Sequence, residues 1–400
     1  MQKIFIKPGR EKSLAMKHQW LFSGSIDRVI CDSSCGDDRD ELWEIVDRNG
    51  NFLAYGSYNE NSKIAARIWS FEQNEDVFSH EFFDSRIEKA LNLRFNMGFE
   101  CREGVGFRII NSEGDFLPGV IADFYDDVVV VQFLTKAAEK HKQIISDILF
   151  KKTGAKAVYE RSDADVRALE NLPQSAGLMA GKLPERELII NENGAKFHID
   201  IINGHKSGFY LDQAESRRII RQYAAGRNVL NCFSYTGGFG VAALLGGAES
   251  VVNVDSSKAV LEIAAENMQL NNLPEDSYEN LCGDVFSMLR KFRAEKRKFD
   301  LIILDPPKLV DSRKNLVKGA KAYKDMALVA FQILNEGGLL ANFSCSGLMD
   351  RELFAKVTFD AAKDAKVDAR LIRHFEQNCD HTVALSVPEG FYLKGHLISI

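Results

Sequence analysis

The chain has 400 residues, of which 45% are hydrophobic, and a formal net charge of −6 at pH 7. This length exceeds one compact core and predicts two or three domains. The acidic balance argues against a uniformly basic nucleic-acid-binding protein, and no run of about eighteen apolar residues indicates a membrane span. Residues 1–7 alternate like a strand and lack the apolar run of a signal peptide, so we expect a cytoplasmic protein.

Seven cysteines are scattered along the chain, an odd number that favours reduced thiols over a disulfide framework. Only Cys31 and Cys35 are close in sequence, and no second Cys/His pair at zinc-like spacing accompanies them. We interpret this pair as part of a surface loop and expect no metal.

Charge is unevenly distributed along the sequence. Residues 1–30 are mainly basic, residues 32–47 are strongly acidic, and the segment 290–324 holds twelve Lys or Arg against four Asp or Glu. Such clusters are usually solvated faces, but the last one flanks Asp305 on both sides and is therefore a candidate for contacts with RNA phosphates.

The predicted elements begin with a β-rich module. Short alternating segments at 42–46 and 64–69 are separated by turn signals, and a polar stretch near residue 74 ends the module. An amphipathic helix over 78–97 opens a second, α+β domain that extends to residue 190. Its further predicted elements are strands at 107–110, 119–122 and 128–134, a helix at 139–151 and a strand at 157–160.

From about residue 194 the pattern changes to an alternation of strands and helices. This alternation predicts a doubly wound α/β domain over residues 191–400. Its apolar runs predict strands at 228–232, 250–255, 299–304 and 338–343, with helices such as 257–270 between them.

The segment 231–239 follows the first of these strands and precedes an apolar helix. Its glycines, Gly237 and Gly238, allow a ligand to approach the backbone closely. The segment lacks the full Gly-x-Gly-x-x-Gly fingerprint, which favours a nucleoside cofactor without phosphates over a dinucleotide.

Two acidic residues follow the next strands. Asp255 ends a strand where a carboxylate can accept both ribose hydroxyls of a nucleoside, and Asp284 is placed to accept a hydrogen bond from an adenine amino group. Helix N-capping is the alternative role for both; we favour ligand binding for Asp255 and weigh the two roles evenly for Asp284. Together with the glycine loop, these residues suit S-adenosylmethionine.

Two short motifs close strands that we expect to be neighbours in the sheet, Asp305-Pro306-Pro307-Lys308 and Ser344-Cys345-Ser346. Neighbouring strands lie about 4.8 Å apart, so one pyrimidine ring can reach both strand ends. Methylation of carbon 5 requires prior attack on carbon 6, for which the Cys345 thiolate is our candidate nucleophile. Asp305 is our candidate to bind the cytosine N4 amine and hold a proton at N3. Lys308 either contacts a phosphate or favours the thiolate.

These motifs make the chain similar to the bacterial 23S ribosomal RNA large-subunit cytosine-C5 methyltransferase I family over essentially its whole length. Residues 9–13 and 20–24 resemble that family's RNA-binding PUA domain over 1–74, and the middle part resembles its EEHEE domain over 75–190. The methyltransferase domain, a Rossmann-like class I fold over 191–400, matches through segments 204–213, 231–239, 305–308, 343–347 and 388–395.

The resemblance implies that Cys345 forms a covalent link to cytosine in 23S rRNA, either naked or in a partly assembled large subunit. It also implies a set of residues around S-adenosylmethionine: Asp212, Gln213, Phe233, Tyr235, Thr236, Asp255 and Asp284. We add to the predicted cofactor site their neighbours Asn231, Ser234, Gly237, Ser256 and Val285. Pro307 stands where related enzymes often have a second cysteine, so the base that removes the C5 proton is unassigned.

Three alternatives stay open. Methylation of an exocyclic amine usually needs an aromatic residue where this chain has Lys308. Uracil-C5 methylation uses the same thiol chemistry, and an RNA-binding ribosome-assembly factor without catalysis is a different class altogether. Among partners we expect RNA and no membrane, and we consider a homodimer.

Overall fold

The computed structural model describes residues 2–31 and 42–400, so Cys35 and most of the acidic segment lie outside the described residues. The chain divides into two compact units. The first comprises Met1–Ile190, Ile199–Phe209 and Cys379–Gly390, and the second comprises Asn191–His198, Tyr210–Asn378 and Phe391–Ile400. The three domains drawn at residues 74 and 190 stay a prediction.

A six-stranded sheet forms the N-terminal part of the first unit. Its elements are β1 (Lys3–Ile6), α1 (Lys12–Ala15), β2 (Trp20–Phe22), β3 (Ile26–Ile30), β4 (Trp43–Val46), β5 (Phe52–Tyr58) and β6 (Ile64–Ser70). The strands pair in the order β2-β6-β5-β4-β1-β3. Alternate residues such as Ile4 and Ile6 are buried in its core, as period-two patterning requires. The predicted β-rich module is confirmed.

A second sheet of the first unit has the strand order β11-β10-β9-β8-β7. Its elements are α2 (His80–Asn96), β7 (Gly106–Asn111), β8 (Val120–Tyr125), β9 (Val128–Phe133), α3 (Lys136–Lys140), α4 (Lys142–Thr153), β10 (Ala157–Ser162) and β11 (Ser175–Gly181). The central strand β9 is buried along its whole length, which explains its run of four valines. Helix α2 begins after Ser79, whose side chain accepts the N–H of Phe82 at 3.1 Å.

Two features of this part differ from the sequence-based expectation. The helix predicted at 139–151 is split into α3 and α4, and β11 was not predicted at all. Two glycines, Gly177 and Gly181, dilute the strand pattern of β11, since glycine disfavours strands.

The second unit is built around a seven-stranded sheet with the order β16-β15-β14-β17-β18-β20-β19. A two-stranded sheet of β12 (Leu188–Glu192) and β13 (Ala195–Ile199) precedes it along the chain. The large sheet contains β14 (Asn228–Cys232), β15 (Ser250–Asp255), β16 (Tyr278–Cys282), β17 (Phe299–Leu304), β18 (Leu334–Ser344), β19 (Arg370–Glu376) and β20 (Lys394–Ser399). The first five strands pair in parallel, whereas β20 runs antiparallel to β18 and β19.

Helices alternate with these strands, as the sequence predicts for a doubly wound domain. They are α5 (Ala214–Tyr223), α6 (Gly238–Leu245), α7 (Lys258–Leu270), α8 (Val285–Ala294), α9 (Leu316–Ile333) and α10 (Arg351–Ala365). Helix α9 buries Tyr323, Met326, Ala327 and Ala330, a helical spacing that presents one apolar face to the core of this unit. In the described ranges, no helix combines the length and the hydropathy needed to cross a membrane.

Candidate active site

Most predicted site residues of the second unit lie at, or directly after, the carboxyl ends of its parallel strands, whereas Asp212 and Gln213 precede β14. The strand order reverses on either side of β14, since β15 and β16 lie on one side of it and β17 and β18 on the other. Open α/β sheets bind ligands beyond the strand ends at such a point. The predicted pairing of the two motif-bearing strands is confirmed, because Leu304 of β17 is in register with Asn342 of β18.

The loop after β14 has an unusual backbone. Phe233, Tyr235 and Gly237 have φ angles of 58°, 48° and 79°, and positive φ at non-glycine residues is concentrated at functional sites. A Cβ atom on Gly237 would lie 3.0 Å from that of Ala264, so a larger residue would also crowd α7. The hydroxyl oxygens of Ser234 and Thr236 are buried without a hydrogen-bond partner in the described structure.

Asp255 holds this loop in place through its carboxylate. One oxygen accepts the N–H of Tyr235 at 3.0 Å and the other accepts the N–H of Ser257 at 3.0 Å. Ser257, not Asp255, is the N-cap residue of α7. The neighbouring Ser256 is exposed, and its carbonyl oxygen accepts a weak hydrogen bond from the Cys282 thiol at 3.5 Å. Asp255 therefore orders the backbone of the loop rather than capping the helix.

Asp284 caps a helix. Its carboxylate accepts the N–H of Ser287 at 2.9 Å and the hydroxyl of Ser287 at 2.7 Å, and these hydrogen bonds lower the pKa of Asp284. The next residue, Val285, is buried in the core. The capping role that the sequence left open is therefore present, which leaves ligand contact as an additional proposal.

Asn231 belongs to a row of asparagines that crosses three strands. Its side-chain amide donates to Asn253 at 2.9 Å, and that of Asn253 donates to Asn280 at 2.9 Å. The three residues are in register on β14, β15 and β16. Asn231 therefore helps to hold β14 and β15 together at the strand that leads into the loop.

Asp212 and Gln213 lie on a short helical turn before α5. The Gln213 amide donates to the Asp305 carboxylate at 3.0 Å, and the hydroxyl of Tyr392 donates to Asp212 at 2.7 Å. Gln213 thus joins the predicted cofactor residues to the Asp-Pro-Pro motif.

Tyr210 is a common neighbour of the predicted cofactor and base-binding groups. Its ring makes an edge-to-face contact with that of Tyr235, with centroids 5.2 Å apart. Burial raises the pKa of Tyr210, and the nearby charges of Asp212, Asp305 and Cys345 raise it further. Tyr210 is therefore within electrostatic range of both motif residues, Asp305 and Cys345.

The turn that carries Cys345 is fixed by its two flanking serines. The Ser344 hydroxyl donates to the phenol oxygen of Tyr323 at 3.0 Å, and that phenol pairs with the Ser346 hydroxyl at 3.2 Å. The Ser346 hydroxyl also accepts the N–H of Val310 at 3.2 Å. The chain segments after β17 and β18 are thereby bonded directly to each other.

The remaining predictions concern Lys308, the cysteines and metal binding. Lys308 is exposed. Cys345 is half-buried, and none of the six cysteines in the described residues forms a disulfide. Burial raises the pKa of Cys232, and it raises that of Cys101 to about 12, as expected for inert thiols. Within the ranges 2–31 and 42–400, no group of three or more His, Cys, Asp or Glu residues is placed to hold a metal ion.

Known proteins resemble the whole chain. Residues 111–365 match the family described as S-adenosylmethionine-dependent methyltransferase, and residues 4–71 match a PUA-like domain. The chain is 44% identical over 394 residues to the ribosomal RNA large subunit methyltransferase I of Yersinia pseudotuberculosis (strain IP 31758), with 98% of each chain covered. The protein of the same name from Yersinia pestis bv. Antiqua (strain Angola) matches equally well.

The chain belongs to the ribosomal RNA large subunit methyltransferase I family. Its fold agrees with that of a putative SAM-dependent methyltransferase from Streptococcus mutans, with a TM-score of 0.85, 23% identity and full coverage of both chains. A structure described as a putative methyltransferase complexed with SAH matches with the same TM-score at 22% identity, again over both full chains. The predicted α/β class, with a PUA-like domain followed by a methyltransferase domain, is confirmed.

Several residues at this family's candidate site were missed by sequence reasoning. Three of them make the contacts described above: Tyr210, Tyr323 and Tyr392. The fourth is Lys394, whose ammonium group donates to the carbonyl oxygen of Ser346 in the Cys345 turn. Tyr392 and Lys394 belong to the segment 388–395, which the resemblance singled out without assigning roles. The signal that could have found Lys394 is a lysine directly before the largely apolar run of residues 395–400.

Proposed function

We propose that this protein transfers a methyl group from S-adenosylmethionine to carbon 5 of a cytosine in 23S rRNA, through a covalent bond between Cys345 and carbon 6. The observation that supports this proposal most is that Asp305 and Cys345 follow two paired strands, whose following segments are bonded to each other through Val310 and Ser346. The names of the close relatives support ribosomal RNA as the substrate class.

The loop residues fit the cofactor that the family requires. Buried polar oxygens of Gln213, Asn231, Ser234 and Thr236 have no hydrogen-bond partner in the described structure. Buried polar groups are nearly always paired, so such oxygens are suited to the amino and hydroxyl groups of a ligand. The proposed cofactor residues are Asp212, Gln213, Asn231, Phe233, Ser234, Tyr235, Thr236, Gly237, Asp255, Ser256, Asp284 and Val285.

The chemistry follows from the thiol and the carboxylate. The Cys345 thiolate adds to carbon 6, and the electron pair of the C5–C6 double bond makes carbon 5 nucleophilic. Asp305, oriented by the Gln213 amide, binds N4 and stabilises the protonated N3 side of the ring. Bound S-adenosylmethionine supplies an electrophilic methyl group for carbon 5. Loss of the C5 proton to a base then restores the double bond and releases Cys345.

Contacts with RNA are proposed for the basic start of α9. Arg313 and Lys314, on the turn before α9, and Lys318, in its first turn, are exposed beyond the Asp-Pro-Pro motif. Replacing Lys314 and Lys318 by glutamine should reduce the slope of log affinity against log salt, by roughly 0.7 to 0.9 for each phosphate that is no longer neutralised. Glutamine at Lys356 and Lys363, exposed on α10, is the matched control. An unaltered slope would mean that these lysines face solvent and do not contact RNA phosphates.

The decisive experiment supplies 23S rRNA and labelled S-adenosylmethionine to the full chain and digests the product RNA. Labelled 5-methylcytidine supports the proposal. Labelled 5-methyluridine would identify a uracil enzyme, and RNA binding without transfer would identify an assembly factor. Comparison of naked RNA with assembly intermediates, and mapping of the modified nucleotide, would define the substrate. A cytoplasmic location and a homodimer remain predictions.

A further inference from the structure

Lys394 is a buried lysine at the first position of β20, with 4% of its surface exposed. Its ammonium group donates to the carbonyl oxygen of Ser346 at 2.8 Å and to that of Tyr392 at 2.7 Å. Ser346 directly follows Cys345 in the chain, so one hydrogen bond connects Lys394 to the turn that carries the proposed nucleophile.

Burial of this ammonium is costly. Desolvation lowers the pKa of Lys394 to about 8, and the charge of Cys345 partly opposes this shift. Two carbonyl oxygens could be held by a neutral donor without this cost. Strongly perturbed lysines are concentrated at functional sites, and the hydrogen bond to Ser346 places this one beside the Cys345 turn.

Charged groups approach Lys394 from each neighbouring element. Cys345 lies beyond β18, whereas Asp350 and Arg351 lie at the start of α10 and affect the pKa of Lys394 in opposite directions. On the other side, Glu376 of β19 is in register with Lys394 and pairs with Arg351 at 2.7 Å.

Two further titratable groups lie near Lys394 and the Cys345 turn. His396 lies two residues along β20, and its pKa is lowered to about 4, first by burial and then by His374 and Arg351. It is therefore neutral near pH 7. Tyr323 bonds both serines of the turn, and burial raises its pKa, so it is also neutral. Lys394 is thus a cation whose electrostatic coupling to Cys345 is favourable.

We propose that Lys394 is a positioning residue for Cys345, which holds the turn through the Ser346 carbonyl and stabilises the thiolate by its positive charge. This inference rests on the proposed function, because it needs Cys345 to react as a thiolate. Electrostatic coupling is reciprocal: if the Cys345 charge favours the ammonium, the ammonium favours the charged sulfur. Below about pH 8 the lysine is charged, and this is the range in which a thiol needs help to ionise.

Three substitutions separate the hydrogen bonds from the charge. Lys394→Met removes both, Lys394→Gln keeps a donor without charge, and Lys394→Arg keeps donors and charge. Lys356→Met, on the exposed face of α10, is the control for loss of one positive charge. Cofactor affinity of the full chain identifies the variants that have folded, and glutamine keeps the comparison available where methionine does not fold.

The measurements are the pH dependence of methyl transfer and of Cys345 alkylation by iodoacetamide, followed in its own peptide by mass spectrometry. We expect both acid limbs to move to higher pH by about one unit in the Met and Gln variants. The Arg and Lys356→Met variants should stay close to the wild type. If Met and Gln variants retain the wild-type pH dependence, the inference is wrong. Activity of Cys345→Ala would instead overturn the proposed function itself.

Discussion

Two buried polar clusters of this protein differ in how completely their hydrogen bonds are satisfied. In the first unit, Arg94 is fully buried and donates to the Asp115 carboxylate at 2.8 Å and to the Asp380 carbonyl at 2.6 Å. In the second unit, the buried hydroxyls of Ser234 and Thr236 lack a partner within the described structure. A cluster that is complete by itself stabilises the fold, whereas one that is incomplete is suited to a ligand.

The Arg94 cluster also explains why residues 379–390 belong to the first unit. Thr382 accepts from Arg94 at 3.1 Å, its carbonyl accepts from Asn111 at 2.8 Å, and a Cβ atom on Gly114 would lie 2.2 Å from that carbonyl oxygen. Hydrogen bonds therefore hold this segment to the first unit, and glycine at position 114 leaves room for its backbone.

The largest expected effect is on methyl transfer at the candidate active site of the second unit. Cys345→Ala should reduce methyl transfer by more than about 10³-fold, because no other group at the turn can form the bond to carbon 6. Affinity for the cofactor, measured by calorimetry, should be unchanged, since the thiol is proposed to contact the base and not the cofactor. Cys31→Ala, at an exposed cysteine, is the control. Equal activity of Cys345→Ala and the control would contradict the nucleophile assignment.

On the structural side, Arg94→Met should lower the free energy of unfolding by about 3 to 5 kcal/mol, because it leaves the buried Asp115 carboxylate without its cation. Arg102→Met removes an exposed pair with Glu100 and should cost less than about 1 kcal/mol. Denaturant unfolding with a probe in the first unit measures both. A loss no larger than that of the control would mean that the Arg94 cluster is not a stabilising centre.

Asp255 has features of both clusters, since it orders a loop and is proposed to bind the cofactor. Asp255→Ala should weaken cofactor binding by about 1 to 3 kcal/mol, because hydrogen-bonding groups of the loop and ligand lose their partner. Asp276→Ala, at an exposed residue of the same unit, is the control. Unchanged affinity in calorimetry would mean that Asp255 does not bind the cofactor and only orders the loop through its hydrogen bonds to Tyr235 and Ser257.

Much of the second unit could be predicted from sequence because its strands are buried on both faces. Continuous apolar runs located β14, β15 and β17 at their observed bounds. Strand β18 is longer than predicted, since it starts at Leu334, and Gly337 with a φ of 73° interrupts the pattern near its beginning. The edge strand β19 is mostly exposed and carries no apolar run to identify it.

The site was predictable only where its residues share a short motif. Its cross-links join distant parts of the chain: Tyr392 to Asp212, Gln213 to Asp305, and Lys394 to the carbonyl of Ser346. Periodicity reports local burial, and it carries no information on which side chains meet after folding. For that reason the motifs indicated the proposed chemistry, whereas the hydrogen bonds among distant residues became visible only in the structure.

The smallest expected effect tests whether Asp284 only stabilises the fold, as the Arg94 cluster does, or also binds the cofactor. Asp284→Ala removes the N-cap of α8 and should lower the free energy of unfolding by about 1 kcal/mol. Asp284→Ser restores a capping hydroxyl but not the reach of a carboxylate, so stability should recover. If Asp284 also binds the cofactor, calorimetry should show weakened binding in both variants. Recovery of affinity along with stability in the serine variant would show that capping is the whole contribution of Asp284.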